Sequence, residues 1–167
     1  MRIGHGYDAH RFGDIRPFVI GGVRIPCERG IDAHSDGDTL LHAVIDALFG
    51  AAGMPDIGAH YPDSSAAFDN VNSMDLLIDA VKEISGAGFA LEYLDCTIVA
   101  QTPKMAQWLP QMRQNIAAAC CVDVSRVNVK ATTEERMGFT GEKLGLAAHA
   151  VCLLREECPG FPEHSHL

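Results

Sequence analysis

Aromatic side chains are scarce in this chain. Phe, Tyr and Trp together make up 7% of its 167 residues, with a single Trp, although apolar residues reach 47%. The interior must therefore be built largely from small side chains, and a composition of this kind leaves apolar surface for a subunit interface. No apolar run is long enough to span a bilayer, and the start lacks the basic, apolar and cleavage regions of a secretory leader, so a soluble cytoplasmic protein is expected. Positive charge is equally sparse: 13 Lys and Arg against 22 Asp and Glu give a net charge of −9 with no basic run, which argues against nucleic acid as a partner. The six cysteines show neither C-x-x-C spacing nor a compact framework, and read as reduced, space-filling thiols. Absence of a Walker or dinucleotide fingerprint disfavours ATPase and oxidoreductase chemistry. Nothing resembling a linker or repeat divides the sequence, so residues 1–155 read as one domain and the polar, proline-containing 156–167 as a flexible tail.

What is present begins with Gly4-His5-Gly6-Tyr7-Asp8-Ala9-His10. Side chains alternate along an extended strand, so Asp8 and His10 project together while His5 points the other way. A carboxylate and an imidazole are both ligands that Zn²⁺ accepts, and a catalytic zinc takes three protein ligands with one position left open. The third candidate is His42, in Asp38-Thr-Leu-Leu-His42-Ala-Val-Ile-Asp46, where Leu41, Val44, Ile45 and Leu48 repeat at helical spacing. Asp38, His42 and Asp46 follow one another on the polar side, and Asp46 is the expected carboxylate support for the second ring nitrogen of His42. On spacing alone, surface strand polars and a satisfied helix histidine account for these residues equally well.

The rest of the chain supplies scaffold and loops. Gly21-Gly22 between Phe18–Ile20 and Val23–Ile25 predicts a hairpin. The polar stretch Ala33-His34-Ser35-Asp36-Gly37-Asp38 feeds the His42 helix; Ser35 or Asp36 is expected to cap it, and its first turn offers N–H groups to an anion. Residues 53–72 read as one long irregular loop, in which Asp56-Ile57-Gly58 and Tyr61-Pro62-Asp63 suit either a hydroxylated substrate or ordinary turns. Ser73 is expected to cap a helix from Met74 to Ser85, and a further helix should begin near Pro110. Tyr93–Gln101, Val127–Ala131 and Leu144–Leu154 read as strands. Exposed backbone from Ala100 to Met105 can read a flat ring by its edge, with Lys104 near phosphate, or be a plain loop. After Ala131, the run Thr132-Thr133-Glu134-Glu135 brings hydroxyls and acids to a strand end, as a second metal and a diphosphate require.

In that order, Gly4 to His10, Gly21-Gly-Val-Arg-Ile-Pro26, Ala33 to Asp38, Asp56-Ile-Gly58, Tyr61-Pro-Asp63, Ala100 to Met105, Val127 to Thr133 and Gly138-Phe-Thr-Gly141 resemble the 2-C-methyl-D-erythritol 2,4-cyclodiphosphate synthases of the non-mevalonate isoprenoid pathway. The resemblance spans residues 1 to about 155. It implies an α+β subunit, a mixed β-sheet with helices on one face, in a homotrimer with active sites at subunit interfaces. By that likeness Asp8, His10 and His42 hold Zn²⁺, and Glu135 helps hold Mg²⁺ or Mn²⁺ on the diphosphate. His34, Ser35, Asp56, Ile57, Gly58, Tyr61 and Asp63, with Asp8 and His10, surround the methylerythritol phosphate. Ala100, Pro103, Lys104, Met105, Ala131 and Thr132 form the cytidine pocket, Phe139 joins the substrate-binding set, and His34 and Thr133 steady the transition state. One position departs from the pattern. A basic residue often follows Gly-Phe-Thr-Gly and faces an internal trimer cavity that can take an isoprenoid-type diphosphate, whereas this chain has Glu142 followed by Lys143, so the resemblance leaves binding in that cavity open.

The implied reaction converts 4-diphosphocytidyl-2-C-methyl-D-erythritol 2-phosphate into the cyclic diphosphate and CMP. The attacking oxygen belongs to the substrate, in keeping with the lack of any Ser or Cys nucleophile motif. Two other readings use the same ligands: a zinc-dependent phosphohydrolase of a nucleoside diphosphate derivative, and a nucleotide-sensing module with a structural zinc. The second fits less well, since a structural site is normally closed by four protein ligands.

Overall fold

A computed structural model describes residues 1–13, 17–33, 35–62 and 71–157. Its frame is a five-stranded sheet in the order β4-β1-β7-β5-β6, formed by β1 (Arg2–Gly13), β4 (Gly30–Asp32), β5 (Phe89–Val99), β6 (Val127–Thr132) and β7 (Gly145–Glu156). β5 and β6 run parallel and the other neighbours antiparallel, so the sheet is mixed and the fold α+β. A separate hairpin pairs β2 (Phe18–Ile20) with β3 (Val23–Ile25). Its turn residues Gly21 and Gly22 have φ of 59° and 67°, the left-handed pair that a primed turn demands.

Helix α1 (Thr39–Ala52) lies against β1 and β7 on one side and α3 (Ser73–Gly86) on the other. Leu40, Leu41, Val44, Ile45, Leu48 and Phe49 are fully buried, each worth roughly 1.5–3 kcal/mol in water-to-core transfer. The helix approaches the strand so closely that a Cβ at Gly4 or Gly6 would lie 1.9 Å from the carbonyl oxygen of Ala47 or Ala43. The glycines around His5 are therefore a packing requirement between backbones. Helix α4 (Leu109–Ala119) covers β6, and the short helices α2 (Ile57–His60) and α5 (Gly138–Gly141) punctuate loops.

Alternation along β1 sends Gly4, Gly6, Asp8, His10 and Phe12 toward the helices and His5 and Tyr7 to the opposite face. That opposite face is open in the single chain: Ile3 is 75% exposed, Tyr7 47%, Tyr93 43% and Val151 44%. Register aligns them in rows, Ile3 beside Leu153 beside Tyr93, and Tyr7 beside His149 beside Thr97.

Several boundaries differ from the sequence reading. β5 begins at Phe89, because a register irregularity between Leu91 and Tyr93 breaks the alternation there. The long loop contains α2, and β7 continues to Glu156, so a tail cannot begin at that residue; residues 158–167 lie outside the described residues. Helix α3 is capped by Asn72, whose side chain accepts the Met74 N–H, and Ser73 is already its first residue. Helix α1 is capped by Asp38 rather than by Ser35 or Asp36.

Candidate metal centre and its cavity

Strand β1 and helix α1 bring Asp8, His10 and His42 together, with one ligand atom from each lying within 4.8 Å of the others. Asp8 Oδ1 accepts the N–H of Ala9, which leaves Oδ2 directed at the two rings. His10 Nδ1 lies 3.0 Å and His42 Nδ1 3.1 Å from that oxygen, and the ring centroids are 5.4 Å apart. Burial would raise the Asp8 carboxyl, but hydrogen bonds from His10 and His42 and their positive charge outweigh it and hold the group well below the ordinary carboxylate range. For His42, burial works against the charged ring, yet the hydrogen bond and charge of Asp8, with Asp38 and Asp36 beyond, raise its pKa above 6.5. One carboxylate facing two imidazoles is a donor set that a divalent cation fits, since it would replace the shared protons and leave coordination positions toward the cavity.

That cavity, of about 310 Å³, is lined by Asp8, His10, Asp32, Ala33, Ser35, His42, Ile57, Gly58, Tyr61, Val71 and Leu76. Ser35, Ile57, Gly58 and Tyr61 thus share one cavity with the three candidate ligands. Tyr61 directs its hydroxyl away, to Asp79 Oδ2 at 3.2 Å, while burial and the charges of Asp79 and Glu83 push that hydroxyl's pKa up. Asp56 caps α2 by accepting the Ala59 N–H at 2.9 Å, the turn chemistry that was its alternative reading. His34 and Asp63 lie outside the described residues.

Two expectations for α1 are corrected. Asp46 does not support the ring of His42: its Oδ1 accepts the backbone N–H of Ile57 at 2.8 Å and so ties α2 to α1. Nor is the N-terminus of α1 open to an anion, because the fully buried carboxylate of Asp38 occupies it. Asp38 accepts N–H bonds from Leu41 at 3.0 Å, Gly21 at 2.9 Å and Gly22 at 2.7 Å, which pins the glycine hairpin to the helix start. The partner of the second ring nitrogen is instead Ser73. His42 Nε2 lies 2.9 Å from Ser73 Oγ, whose hydroxyl donates to Asp36 Oδ1 at 2.5 Å. Sequence reasoning treated both Ser73 and Asp36 as caps, and nothing in the spacing links Ser73 to a histidine 31 residues earlier.

A second group gathers at the ends of β5 and β6. Ala100 N–H donates to the Thr132 carbonyl, Thr133 Oγ1 donates to Glu135 Oε1 at 2.7 Å, and Arg136 N–H donates to Gln101 Oε1. Ala100 and Met105 have buried side chains, so what they can offer a ligand is backbone, and Phe139 stands 42% exposed nearby in sequence. None of Ala100, Pro103, Lys104, Met105, Ala131, Thr132, Thr133 or Glu135 lines the cavity of Asp8 and His42. β1 is separated from β5 by β7 and from β6 by β7 and β5, which at ordinary strand spacing puts roughly 10 Å between β1 and β5 and roughly 14 Å between β1 and β6.

Of the described cysteines, Cys96, Cys120 and Cys152 are buried and fill space, whereas Cys27 and Cys121 are exposed. Burial raises the thiol of Cys96, and pushes Cys120 to about 12 and Cys152 to about 11, the last donating to the Ala47 carbonyl. No helix among the described residues is long and apolar enough to cross a membrane.

Comparison with known proteins matches residues 1–155 to the model of the YgbB family. The 2-C-methyl-D-erythritol 2,4-cyclodiphosphate synthase of Trichlorobacter lovleyi is 56% identical over 154 residues, 92% of this chain and 98% of the relative. The enzyme of the same name from Chromohalobacter salexigens is 54% identical, over 92% and 95%. Among solved structures, the bifunctional IspDF of Campylobacter jejuni superposes with a TM-score of 0.90 at 44% identity, covering 93% of this chain and 42% of that one. The CDP complex of Plasmodium falciparum IspF superposes with a TM-score of 0.82 at 31% identity, covering 93% and 96%.

Proposed function

The chain belongs to the YgbB family, and from that membership and the site we infer the chemistry it performs. It is a phosphorus-oxygen lyase, a 2-C-methyl-D-erythritol 2,4-cyclodiphosphate synthase of isoprenoid biosynthesis, acting on 4-diphosphocytidyl-2-C-methyl-D-erythritol 2-phosphate. An oxygen of the substrate's 2-phosphate forms a bond to the β-phosphorus. The bond from that phosphorus to the bridging oxygen breaks, and CMP leaves with its α-phosphate intact.

The single observation that carries the site assignment is the convergence of Asp8, His10 and His42 in a cavity rimmed by Ser35, Ile57, Gly58 and Tyr61. These three ligands would hold Zn²⁺, and Glu135 would hold Mg²⁺ or Mn²⁺ together with the diphosphate. Cations held by these residues would supply neutralisation of the phosphate charge. The protein's own share is positioning: Ser35, Asp56, Ile57, Gly58 and Asp63 grip the sugar phosphate, and Ala100, Pro103, Lys104, Met105, Ala131 and Thr132 the cytidine. Phe139 belongs to the same substrate-binding set, while His34 and Thr133 steady the five-coordinate phosphorus. Folding the substrate so that its phosphate oxygen sits against phosphorus can lower the barrier by about 7–11 kcal/mol.

The assembly is a cytoplasmic homotrimer with each active site between two subunits. Supporting this are the apolar open face of the sheet, at Ile3, Tyr7, Tyr93 and Val151, and the separation within one chain of the metal ligands from the cytidine group. The CDP complexes among similar structures support a cytidine diphosphate ligand. A phosphohydrolase would share every metal ligand, but the curated relatives carry the cyclising activity in their names. Metal analysis and turnover test the reading together. Chelator should abolish turnover and zinc added together with Mg²⁺ restore it, and His42→Ala should fold yet purify without zinc; full zinc occupancy in that variant would remove His42 from the site.

A further inference from the structure

His42 uses both ring nitrogens. Nδ1 faces Asp8 Oδ2 and belongs to the ligand cluster; Nε2 faces Ser73 Oγ at 2.9 Å. Ser73 is fully buried, the first residue of α3, and its hydroxyl oxygen lies 2.5 Å from Asp36 Oδ1. Its backbone N–H also donates to Asp36 Oδ2, at 3.0 Å. The carboxylate of Asp36 therefore grips residue 73 at two points.

The direction of these bonds follows from chemistry. An ionised carboxylate only accepts, so the Ser73 proton is committed to Asp36 and the lone pairs of Oγ face the ring. Nε2 must then carry hydrogen and donate it. In a neutral imidazole with hydrogen on Nε2, the bare nitrogen is Nδ1, the one that a metal at the Asp8 cluster needs.

We propose that Asp36 and Ser73 are positioning residues that lock His42 in the Nε2–H tautomer and fix its ring plane, so that Nδ1 is presented ready to bind metal. The proposal rests on the metal reading of the cluster. Helix capping does not explain the arrangement, since Asn72 already caps α3 and the Ser73 hydroxyl is not needed for the backbone bond to Asp36. Ser35 Oγ also approaches Nε2, but at 3.4 Å and while accepting the Gly37 N–H, so it is the weaker acceptor. The relay also joins the loop before α1 to the start of α3, which makes the metal site dependent on how these two elements dock.

The test measures zinc affinity by chelator competition on the intact protein, as wild type, Ser73→Ala and Asp36→Ala. Ser73→Ala removes the acceptor. Asp36→Ala frees the hydroxyl to donate to Nε2, which would shift hydrogen to Nδ1. Both should weaken zinc about 10–100-fold with the circular dichroism spectrum retained. In ¹⁵N-histidine spectra of the zinc-loaded protein, the wild type should show a protected His42 Nε2–H that is lost or shifted in Ser73→Ala. If Ser73→Ala does not fold, Asp36→Ala carries the same readouts. Wild type that fails to bind zinc would overturn the metal reading itself. Wild type that binds zinc while folded variants match it within about twofold would overturn the relay alone, as would weaker zinc binding with an unchanged His42 nitrogen pattern.

Discussion

Asp8 sets the charge balance of the cavity. In the metal-free protein its ionised carboxylate is shared by two imidazoles, and the linkage has a definite sign. The folded pKa of Asp8 is depressed, so its contribution to stability is present above 3.8 and is lost as pH falls through the lower folded value. The folded pKa of His42 is raised, so its contribution is complete below 6.5 and is lost as pH rises through the higher folded value. Metal-free protein should therefore draw most from this cluster between about pH 4 and 6.5, and zinc affinity should climb as pH rises above that window and the His42 proton leaves. Melting temperature against pH, with chelator and with zinc, checks both slopes; a zinc affinity that falls with rising pH across 6–8 would contradict the assignment of Nδ1 as ligand. At this scale Asp8 and His10 were legible because a spacing of two in a strand means a shared face. Ser73 and Asp36 were not, because their roles arise only when α3 docks beside α1, and both residue types also serve as ordinary caps.

Among the elements, α1 and β1 depend on each other most closely. Cα hydrogens face carbonyl oxygens where the helix crosses Gly4 and Gly6, and no side chain fits there. Gly6→Ala should cost about 3 kcal/mol, the upper end of ordinary overpacking, because the new methyl meets backbone rather than a side chain that can swing aside. Denaturant unfolding of the metal-free variant reads this directly, and a loss under about 0.5 kcal/mol would mean that helix and strand part easily. The hairpin was readable from Gly21-Gly22, and β7 from its small, continuous apolar run. The cap of α1 was not readable, since Asp38 is selected by a tertiary contact: its carboxylate serves the helix and the hairpin turn at once. Asp46 misled for a related reason, as helical spacing placed it near His42 but the N–H of Ile57 claims it.

For the molecule as a whole, the open apolar sheet face and the division of the site into two groups are the features a single chain leaves unresolved. The proposal that active sites are shared between subunits makes a definite prediction. Asp8→Ala and Lys104→Ala should each be inactive, yet mixing them under conditions that exchange subunits should restore activity, toward roughly a quarter of sites by random assortment. No recovery in a mixture shown by mass spectrometry to contain hybrids would place both residues in one chain's site. The longer strands and helices and their order were legible in the sequence, whereas the short elements β4, α2 and α5 were not. The sheet order β4-β1-β7-β5-β6 was not, because pairing partners so distant along the chain are fixed by packing around α1 rather than by local pattern.

Cyclisation requires the cavity to fold the substrate onto itself instead of delivering water to it. Turnover in ¹⁸O-labelled water separates the two outcomes that share all of the metal ligands. If the 2-phosphate is the nucleophile, ³¹P NMR should show a pair of coupled signals from the cyclic diphosphate, and mass spectrometry should find no label in that product or in CMP. Label incorporated at phosphorus, with no cyclic species formed, would contradict the account and assign the site to hydrolysis.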